Sequence, residues 1–174
     1  MIYSCFAGTG KTILASFTEY QDIDSADYQW LWTPEQLTLT TEERKLETAR
    51  VKNPDFPSNY VEVIMEADKQ GDVLISAHPE VLDALAEKEV KFVTVAPYPS
   101  LKEEFIQRYI ERGDSEDFIQ LMEEHFEEFS DSMIQHPKAH KSIGISGSDY
   151  YLSDVLGEML EEPVEVEVSD DQPE

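Results

Sequence analysis

The sequence predicts an α/β protein in which a mostly parallel β-sheet is covered by helices on both faces. Its apolar runs, such as residues 72–76 and 90–96, lack polar alternation, which is typical of strands buried on both faces of a parallel sheet. Segments with helix-start signals separate these runs, and strands that alternate with helices usually form one parallel sheet. The length of 174 residues and the hydrophobic fraction of 40% suit one domain with a buried core.

The first half of the chain predicts two strands and two helices around an irregular region. In chain order, these are a strand at residues 1–4, a helix at 11–18, a strand at 21–25, an irregular region at 26–58 with a charged helical patch within 34–51, and a helix at 59–67. Short apolar runs indicate the strands, whereas the prolines and tryptophans of the irregular region interrupt any regular pattern. Gly71 ends the last of these helical segments.

The second half alternates more regularly between apolar runs and helical sequence. Pro79, at a first helical position, opens a helix that runs to residue 88. Ser100 and Glu103 form a capping-box pattern that predicts the start of the next helix, and Gly113 predicts its end. The remaining predicted elements are a long acidic helix capped by Asp114 or Ser115 and ending near residue 133, a strand at 141–146, a helix at 151–160 and an acidic tail at 161–174.

The chain is strongly acidic. Its 13 lysines and arginines face 38 aspartates and glutamates, which gives a formal net charge of -25 and a pI near 4.2. Such a surface repels phosphate backbones and anionic membranes, so we expect no direct binding to nucleic acid or to a membrane. No apolar run approaches the roughly 18 residues of a membrane span, and no signal-peptide pattern is seen. A single cysteine cannot form an internal disulfide, so we expect a cytoplasmic protein.

The most informative motif lies in residues 5–12, directly after the first predicted strand. It matches the phosphate-binding pattern G-x-x-x-x-G-K-[ST] at Gly10, Lys11 and Thr12. In such a loop, successive backbone N–H groups and the positive end of the following helix bind phosphate oxygens. Lys11 would reach the β- and γ-phosphates of ATP, and the Thr12 hydroxyl would hold Mg²⁺. The residues expected to bind the nucleotide are Phe6, Ala7, Gly8, Thr9, Gly10, Lys11 and Thr12.

Cys5 occupies the position of the first glycine in this pattern. A glycine there often allows backbone angles or close contacts that other residues do not. Cysteine is small, so the loop can still close, but its affinity for a nucleotide is left open. Cys5 is either a small buried core residue or a redox-sensitive group on the loop.

Six segments spread along the chain share a pattern with one known group of proteins. They are Phe-Ala-Gly-Thr-Gly-Lys-Thr (6–12), Asp-Ile-Asp-Ser (22–25), Asn-Pro-Asp-Phe-Pro-Ser-Asn-Tyr (53–60), Val-Leu-Ile-Ser-Ala-His (73–78), the helical segment 101–113 and Tyr-Leu-Ser-Asp-Val-Leu (151–156). On these segments the chain resembles the small P-loop nucleotide kinases, above all the adenylate-kinase-like and deoxynucleoside monophosphate kinases of bacteriophages and their bacterial hosts. The loop is the specific motif, and the other segments match only as a pattern of positions.

This resemblance implies a three-layer fold of the P-loop NTPase type, with a five-stranded parallel sheet and a small lid. It implies transfer of the γ-phosphoryl group of ATP to a nucleoside or deoxynucleoside monophosphate. Residues 1–160 would form a single domain, in which 26–60 lie on the acceptor side and 99–135 form the lid and helical region. Residues 161–174 would remain a separate acidic tail.

Phosphoryl transfer needs positive charge where the phosphates meet, and this chain has few cations to supply it. Arg108 and Arg112 fall where kinases of this type carry lid arginines, and their four-residue spacing allows both to reach one phosphate. The alternative is an ordinary solvated helix face balanced by neighbouring glutamates. Arg50, just before the Asn-Pro pair, either clamps the acceptor phosphate or belongs to a surface linker.

The predicted strand ends carry four further candidates for substrate binding. Asp24 and Ser25 end the second strand, where the carboxylate either binds Mg²⁺ through water or the acceptor sugar, or forms a turn. The third main strand ends at Ser76 without the carboxylate that usually holds Mg²⁺, so Ser76 is a candidate ligand for phosphate or metal-bound water. His78 either caps the following helix or touches substrate, and we assign it no role as a base.

Tyr60 belongs to an aromatic group in the acceptor-side region, with Tyr28, Trp30, Trp32 and Phe56. A base can stack on such a group, or the rings can form a small core under a long loop. Two other functions stay open for the whole chain. One is a nucleotide-binding protein without turnover, and the other is an acidic interaction protein that binds a basic partner by mimicking nucleic acid.

Overall fold

The computed structural model describes residues 1–147 and 151–160, with side chains as far as residue 156. A five-stranded parallel sheet lies at its centre, and two further strands form a separate hairpin. In chain order the strands are β1 Ile2–Cys5, β2 Gln21–Ile23, β3 Trp30–Leu31, β4 Val51–Lys52, β5 Val73–Ser76, β6 Phe92–Pro97 and β7 Lys141–Ile145. The order across the main sheet is β2-β5-β1-β6-β7, and every neighbouring pair is parallel. The predicted α/β class with a parallel sheet is confirmed.

Helices cover both faces of this sheet. They are α1 Lys11–Ser16, α2 Ala26–Gln29, α3 Thr41–Lys45, α4 Ser58–Asp68, α5 Pro79–Glu87, α6 Lys102–Arg112, α7 Glu116–Ile134 and α8 Leu152–Leu160. Because strand side chains alternate between faces, Ile2, Ile75 and Phe92 share one face, where they are buried against α4 and α5. Tyr3 and Leu74 point to the opposite face and join a second cluster with buried leucines of α1 and α8.

The chain between β6 and β7 forms a helical pair. Gly113 ends α6 in the left-handed conformation with φ 80°, and the Ser115 hydroxyl caps α7 by accepting from the Phe118 amide, both as the sequence predicts. The predicted capping box of Ser100 and Glu103 is wrong. A short 3₁₀ turn, Pro99–Leu101, precedes α6, so the helix begins at Lys102 without a side-chain cap.

The segment between β2 and α4 is more regular than its sequence suggests. The charged helical patch predicted within 34–51 is confirmed as α3, Thr41–Lys45. A reciprocal capping box between Thr40 and Glu43 starts α3 there. β3 precedes α3 in the chain and β4 follows it. These two strands pair as the antiparallel β3–β4 hairpin, in which Leu31 faces Val51. This hairpin carries no sequence signal, because each strand has only two residues.

Several smaller predictions can also be judged. β2 ends at Ile23, so Asp24 and Ser25 follow the strand instead of ending it. The helix predicted at 151–160 is present as α8, whereas the acidic tail at 161–174 lies outside the described residues. In the described part of the chain, no helix is both long and apolar enough to cross a membrane.

Candidate functional site

The candidate site is the turn between β1 and α1, which we call the glycine loop (residues 5–12). β1 is the central strand of the sheet, so the loop leaves the sheet at its carboxyl edge, next to the ends of β5 and β6. Ligands of open parallel sheets bind at this edge. The loop therefore occupies the position at which chemistry is expected in this architecture.

Two glycines and one buried threonine give the loop its shape. Gly8 and Gly10 adopt left-handed conformations, with φ 83° and 91°, which other residues adopt only with strain. Thr9 is buried, and its hydroxyl donates to the Phe6 carbonyl at 2.7 Å. The Leu14 amide then donates to the Gly10 carbonyl and starts α1.

The loop leaves a series of backbone amides unused. No hydrogen bond among the described residues takes a donor from the backbone N–H groups of Ala7, Gly8, Gly10, Lys11 or Thr12. The last two belong to the first turn of α1, where amides have no partner within the helix. Consecutive unpaired amides at the start of a helix are a common binding site for anions.

Aromatic side chains cover one side of the loop. The Tyr109 hydroxyl of α6 donates to the Ala7 carbonyl at 2.9 Å, and the Leu152 amide donates to the Thr9 carbonyl at 2.9 Å. A Cβ atom added at Gly8 would lie 2.9 Å from the Tyr109 ring, and one at Gly10 would lie 3.1 Å from the Tyr151 ring. Close ring packing is therefore a second reason, besides backbone angle, for glycine at both positions.

The two predicted lid arginines have different partners. Arg108 reaches the loop: it donates to the Gly8 carbonyl at 3.1 Å, and its guanidinium lies 4.3 Å from the ring centres of both Phe105 and Tyr151. Arg112 pairs with Asp114, two residues further along the chain. Of these two arginines, Arg108 contacts the glycine loop, and Arg112 makes no described contact with it.

Lys11 contacts two carboxylates, one in β2 and one just after it. Its ammonium group binds Asp22, at the middle of β2, and lies 3.7 Å from Asp24. Lys45 of α3 approaches Asp24 as well, at 2.6 Å. Burial acts to raise the pKa of Asp24, but Lys11, Lys45 and the Ala26 amide outweigh it and lower that pKa. The Asp24 carboxylate also accepts from this amide at 2.9 Å, so the turn predicted at Asp24 is present too.

A buried hydrogen-bond network connects the ends of β2 and β5. The Ser25 amide donates to the Ser76 hydroxyl at 3.1 Å, and the Ser76 amide donates to the Tyr60 hydroxyl at 3.0 Å. Tyr60 donates in turn to the Ile23 carbonyl at 2.6 Å, and the Ser25 hydroxyl lies 2.7 Å from Nε2 of His78. The network holds Ser25, Ser76 and His78 together beside the carboxylates of β2.

His78 occupies the cap position of α5, but its side chain does not cap the helix. Burial lowers the pKa of His78, and the nearby carboxylates of Glu80 and Asp24 offset this only in part. The imidazole is therefore neutral at neutral pH and can accept from the Ser25 hydroxyl. Ser25 is buried, whereas His78 is half-buried at the edge of the site.

Three other sequence predictions concern residues away from the loop or inside the core. Tyr60 is fully buried between Tyr28 and Phe56, so of the two alternatives its ring belongs to a small core and is not available to stack on a base. Arg50 lies 4.6 Å from the ring centre of Trp30 in the hairpin and makes no described contact with the loop. Cys5 is buried as the last residue of β1, and burial raises the pKa of its thiol to about 12, which disfavours a redox-sensitive role.

Sequence reasoning missed Asp22, Lys45 and the rings around the glycines. The Asp-x-Asp spacing of 22 and 24 is a signal for Asp22, because alternate strand residues share a face. Lys45 has no such signal, since it lies in a run of charges that is typical of any solvated helix. Tyr151 is separated from Gly10 by most of the chain, and only the fold brings the two together.

No protein-family model matches the chain, and no curated protein matches it significantly.

Proposed function

We propose that this protein binds the phosphates of ATP at the glycine loop and transfers the γ-phosphoryl group to a nucleoside or deoxynucleoside monophosphate. One observation carries the proposal. Five unused backbone amides of the described structure lie where the central strand of a parallel sheet meets a helix, and Lys11 is the first residue of that helix. Backbone donors and a lysine in this position neutralise an oligophosphate in the way that phosphoryl transfer requires.

The chemistry of the step needs little from the protein beyond position and charge. An oxygen of the acceptor phosphate forms a bond to the γ-phosphorus while the bond from that phosphorus to the β,γ-bridging oxygen breaks. The electron pair stays on the departing oxygen of ADP. The loop amides and Lys11 stabilise the charge on the donor phosphates, and Arg108 lies beside the same loop.

The residues present fit a magnesium ion. Thr12 is exposed, and its hydroxyl makes no hydrogen bond among the described residues, so it is available as a ligand. The carboxylates of Asp22 and Asp24 lie around Lys11, and oxygen ligands of this kind suit Mg²⁺. When bound, the ion would supply further positive charge to the phosphates.

The acceptor would approach from the side of β2 and β5. The opposite side of the loop is covered by the rings of Phe105, Tyr109 and Tyr151. The β2 side instead offers the carboxylate of Asp24 and the imidazole of His78, both of which are partly exposed. These polar groups can bind the sugar or the phosphate of a monophosphate.

Calorimetry and a transfer assay test the proposal. Titration with Mg·ATP should give measurable heat with the natural protein, and Lys11→Ala should weaken binding by about hundredfold or more. The matched control is Lys69→Ala, because Lys69 pairs only with a glutamate on the surface of α4. A panel of ribo- and deoxyribonucleoside monophosphates with ATP should reveal at least one acceptor. No binding of Mg·ATP at millimolar concentration would refute the proposal.

A nucleotide-binding protein without turnover is the second candidate. It is favoured by Ser76, which stands at the end of β5 where a magnesium-holding carboxylate is usual, and by Cys5 in place of the first glycine. Such a protein would be stabilised thermally by Mg·ATP, as any ligand of the folded state stabilises it. It would convert none of the monophosphates in the panel.

A further inference from the structure

The most unexpected contact of the site is the approach of Lys45 to the carboxylate of Asp24. Lys45 belongs to α3, which lies outside the sheet, in a segment of short helices and a hairpin. Its ammonium nitrogen lies 2.6 Å from Oδ2 of Asp24, and that of Lys11 lies 3.7 Å from the same oxygen. The two nitrogens can be no farther apart than these two distances combined, so one phosphate group can contact both.

The ion pair of Lys45 is not needed to hold α3 in place. Arg44, the preceding residue, pairs with Asp27 of α2 and donates to the Leu39 carbonyl, while the Thr41 hydroxyl donates to the same aspartate. The capping box at the start of α3 adds local stability. Lys45 is therefore available to exchange Asp24 for another anion while the helix stays in place.

Lys45 has a second carboxylate partner besides Asp24. Glu42, one turn before it, accepts from Lys45 at 2.8 Å. The Lys45 side chain remains 35% exposed, so an anion can reach its ammonium group.

We propose that Lys45 binds the phosphate of the acceptor monophosphate, and that Asp24 holds its ammonium group until this phosphate arrives. The inference rests on the proposed function and names a residue of the same site. Lys11 belongs to the loop that takes the donor phosphates, whereas Lys45 reaches the same oxygen of Asp24 from α3. With one ammonium group for each substrate, the charges of the two reacting phosphates are neutralised where they meet.

Separate binding measurements test this assignment. The natural protein, Lys45→Ala and Lys45→Arg are titrated with each monophosphate of the panel and, in other experiments, with Mg·ATP. We expect Lys45→Ala to weaken binding of the preferred monophosphate by about tenfold to hundredfold, as the loss of a charged hydrogen bond does. Binding of Mg·ATP should change by less than about threefold, and Lys45→Arg should restore most of the affinity.

Lys69→Ala is a close control, because Lys69 pairs with a glutamate three residues before it, as Lys45 does with Glu42. It should leave both affinities unchanged, and thermal melting should show that every variant is folded. Equal binding of the monophosphate by Lys45→Ala and the natural protein would overturn the assignment. If the predicted loss of binding is found but no phosphoryl transfer occurs, the proposed turnover fails while the role of Lys45 stands. If the natural protein binds no monophosphate, the role of Lys45 fails as well.

Discussion

At the scale of single residues, the central feature is the competition for Lys11. Asp22 binds its ammonium group directly, and Asp24 lies within ion-pair distance. The side chains of Lys11 and Asp22 are only 13% and 19% exposed, so solvent screens their attraction less than it does on an open surface. A phosphate that binds to Lys11 must therefore displace a carboxylate that already satisfies it.

This competition predicts that Asp22→Asn strengthens binding of Mg·ATP. Without the competing charge, Lys11 is released toward the loop, and we expect the dissociation constant to fall by about threefold to tenfold. Isothermal titration calorimetry measures the change. Asp72→Asn is the control. Asp72 pairs with the N-terminal ammonium group of Met1, at the opposite end of β1 from the glycine loop. Weaker binding by Asp22→Asn would show instead that Asp22 orients Lys11 for the ligand.

The residues of the site differ in how far their sequence reveals them. Lys11 is recognisable because a fixed motif places it between a strand and a helix. Asp24 and Ser25 could be located because strand ends meet at one edge of a parallel sheet. Lys45 could not, because its contact with Asp24 depends on how a segment without periodicity folds back on β2. For Tyr60 the sequence allowed either a ligand contact or a small core, and only the fold shows that its ring fills the core.

At the scale of elements, the glycine loop is held by α6 and the start of α8 as much as by its own turn. Tyr109 and Leu152 supply hydrogen bonds to two loop carbonyls, and Arg108 supplies a third. Each of these bonds uses a carbonyl and leaves the amides of the loop unused. The packing thus orients the loop with its acceptors toward α6 and α8, and the donors remain available to an anion.

This packing predicts that Gly8→Ala destabilises the protein more than Gly113→Ala. Both glycines have left-handed backbones, with φ 83° and 80°, so the backbone penalty for alanine is about 1–2 kcal/mol in each. The added Cβ at position 8 meets the Tyr109 ring at 2.9 Å, whereas at position 113 nothing lies within 4 Å. We expect an additional loss of about 1 kcal/mol for Gly8→Ala, measured by urea unfolding. Equal losses would mean that the ring moves aside without cost.

Buried strands and helices with strong end signals were predictable, whereas the paired strands β3 and β4 were not. The run that forms β5 is apolar throughout because both faces of the strand are covered, and this leaves a clear pattern. Gly113 and Ser115 likewise determine their helix ends through local geometry. The β3–β4 hairpin pairs residues that are distant in sequence, Trp30 with Lys52 and Leu31 with Val51, and no local pattern encodes this pairing.

At the scale of the whole molecule, the charge of -25 determines how the site must work. With 13 basic residues against 38 acidic ones, most carboxylates have no cation to pair with. An anionic substrate is repelled at long range, so its binding depends on cations gathered at one place. Lys11, Lys45 and Arg108 lie around the glycine loop and supply this local charge.

The same imbalance predicts that salt stabilises the folded protein. Screening weakens the few ion pairs, but it weakens the repulsion among the many unpaired carboxylates more, and the folded state holds these carboxylates closest together. We expect the melting temperature to rise by about 2–8 °C between about 20 mM and about 500 mM NaCl. Tetramethylammonium chloride should give the same rise, because screening does not depend on the cation, whereas a site for one ion would respond to Na⁺ alone. A melting temperature that falls with salt would show that the ion pairs, such as those of Asp24 and Asp27, outweigh the repulsion across the surface.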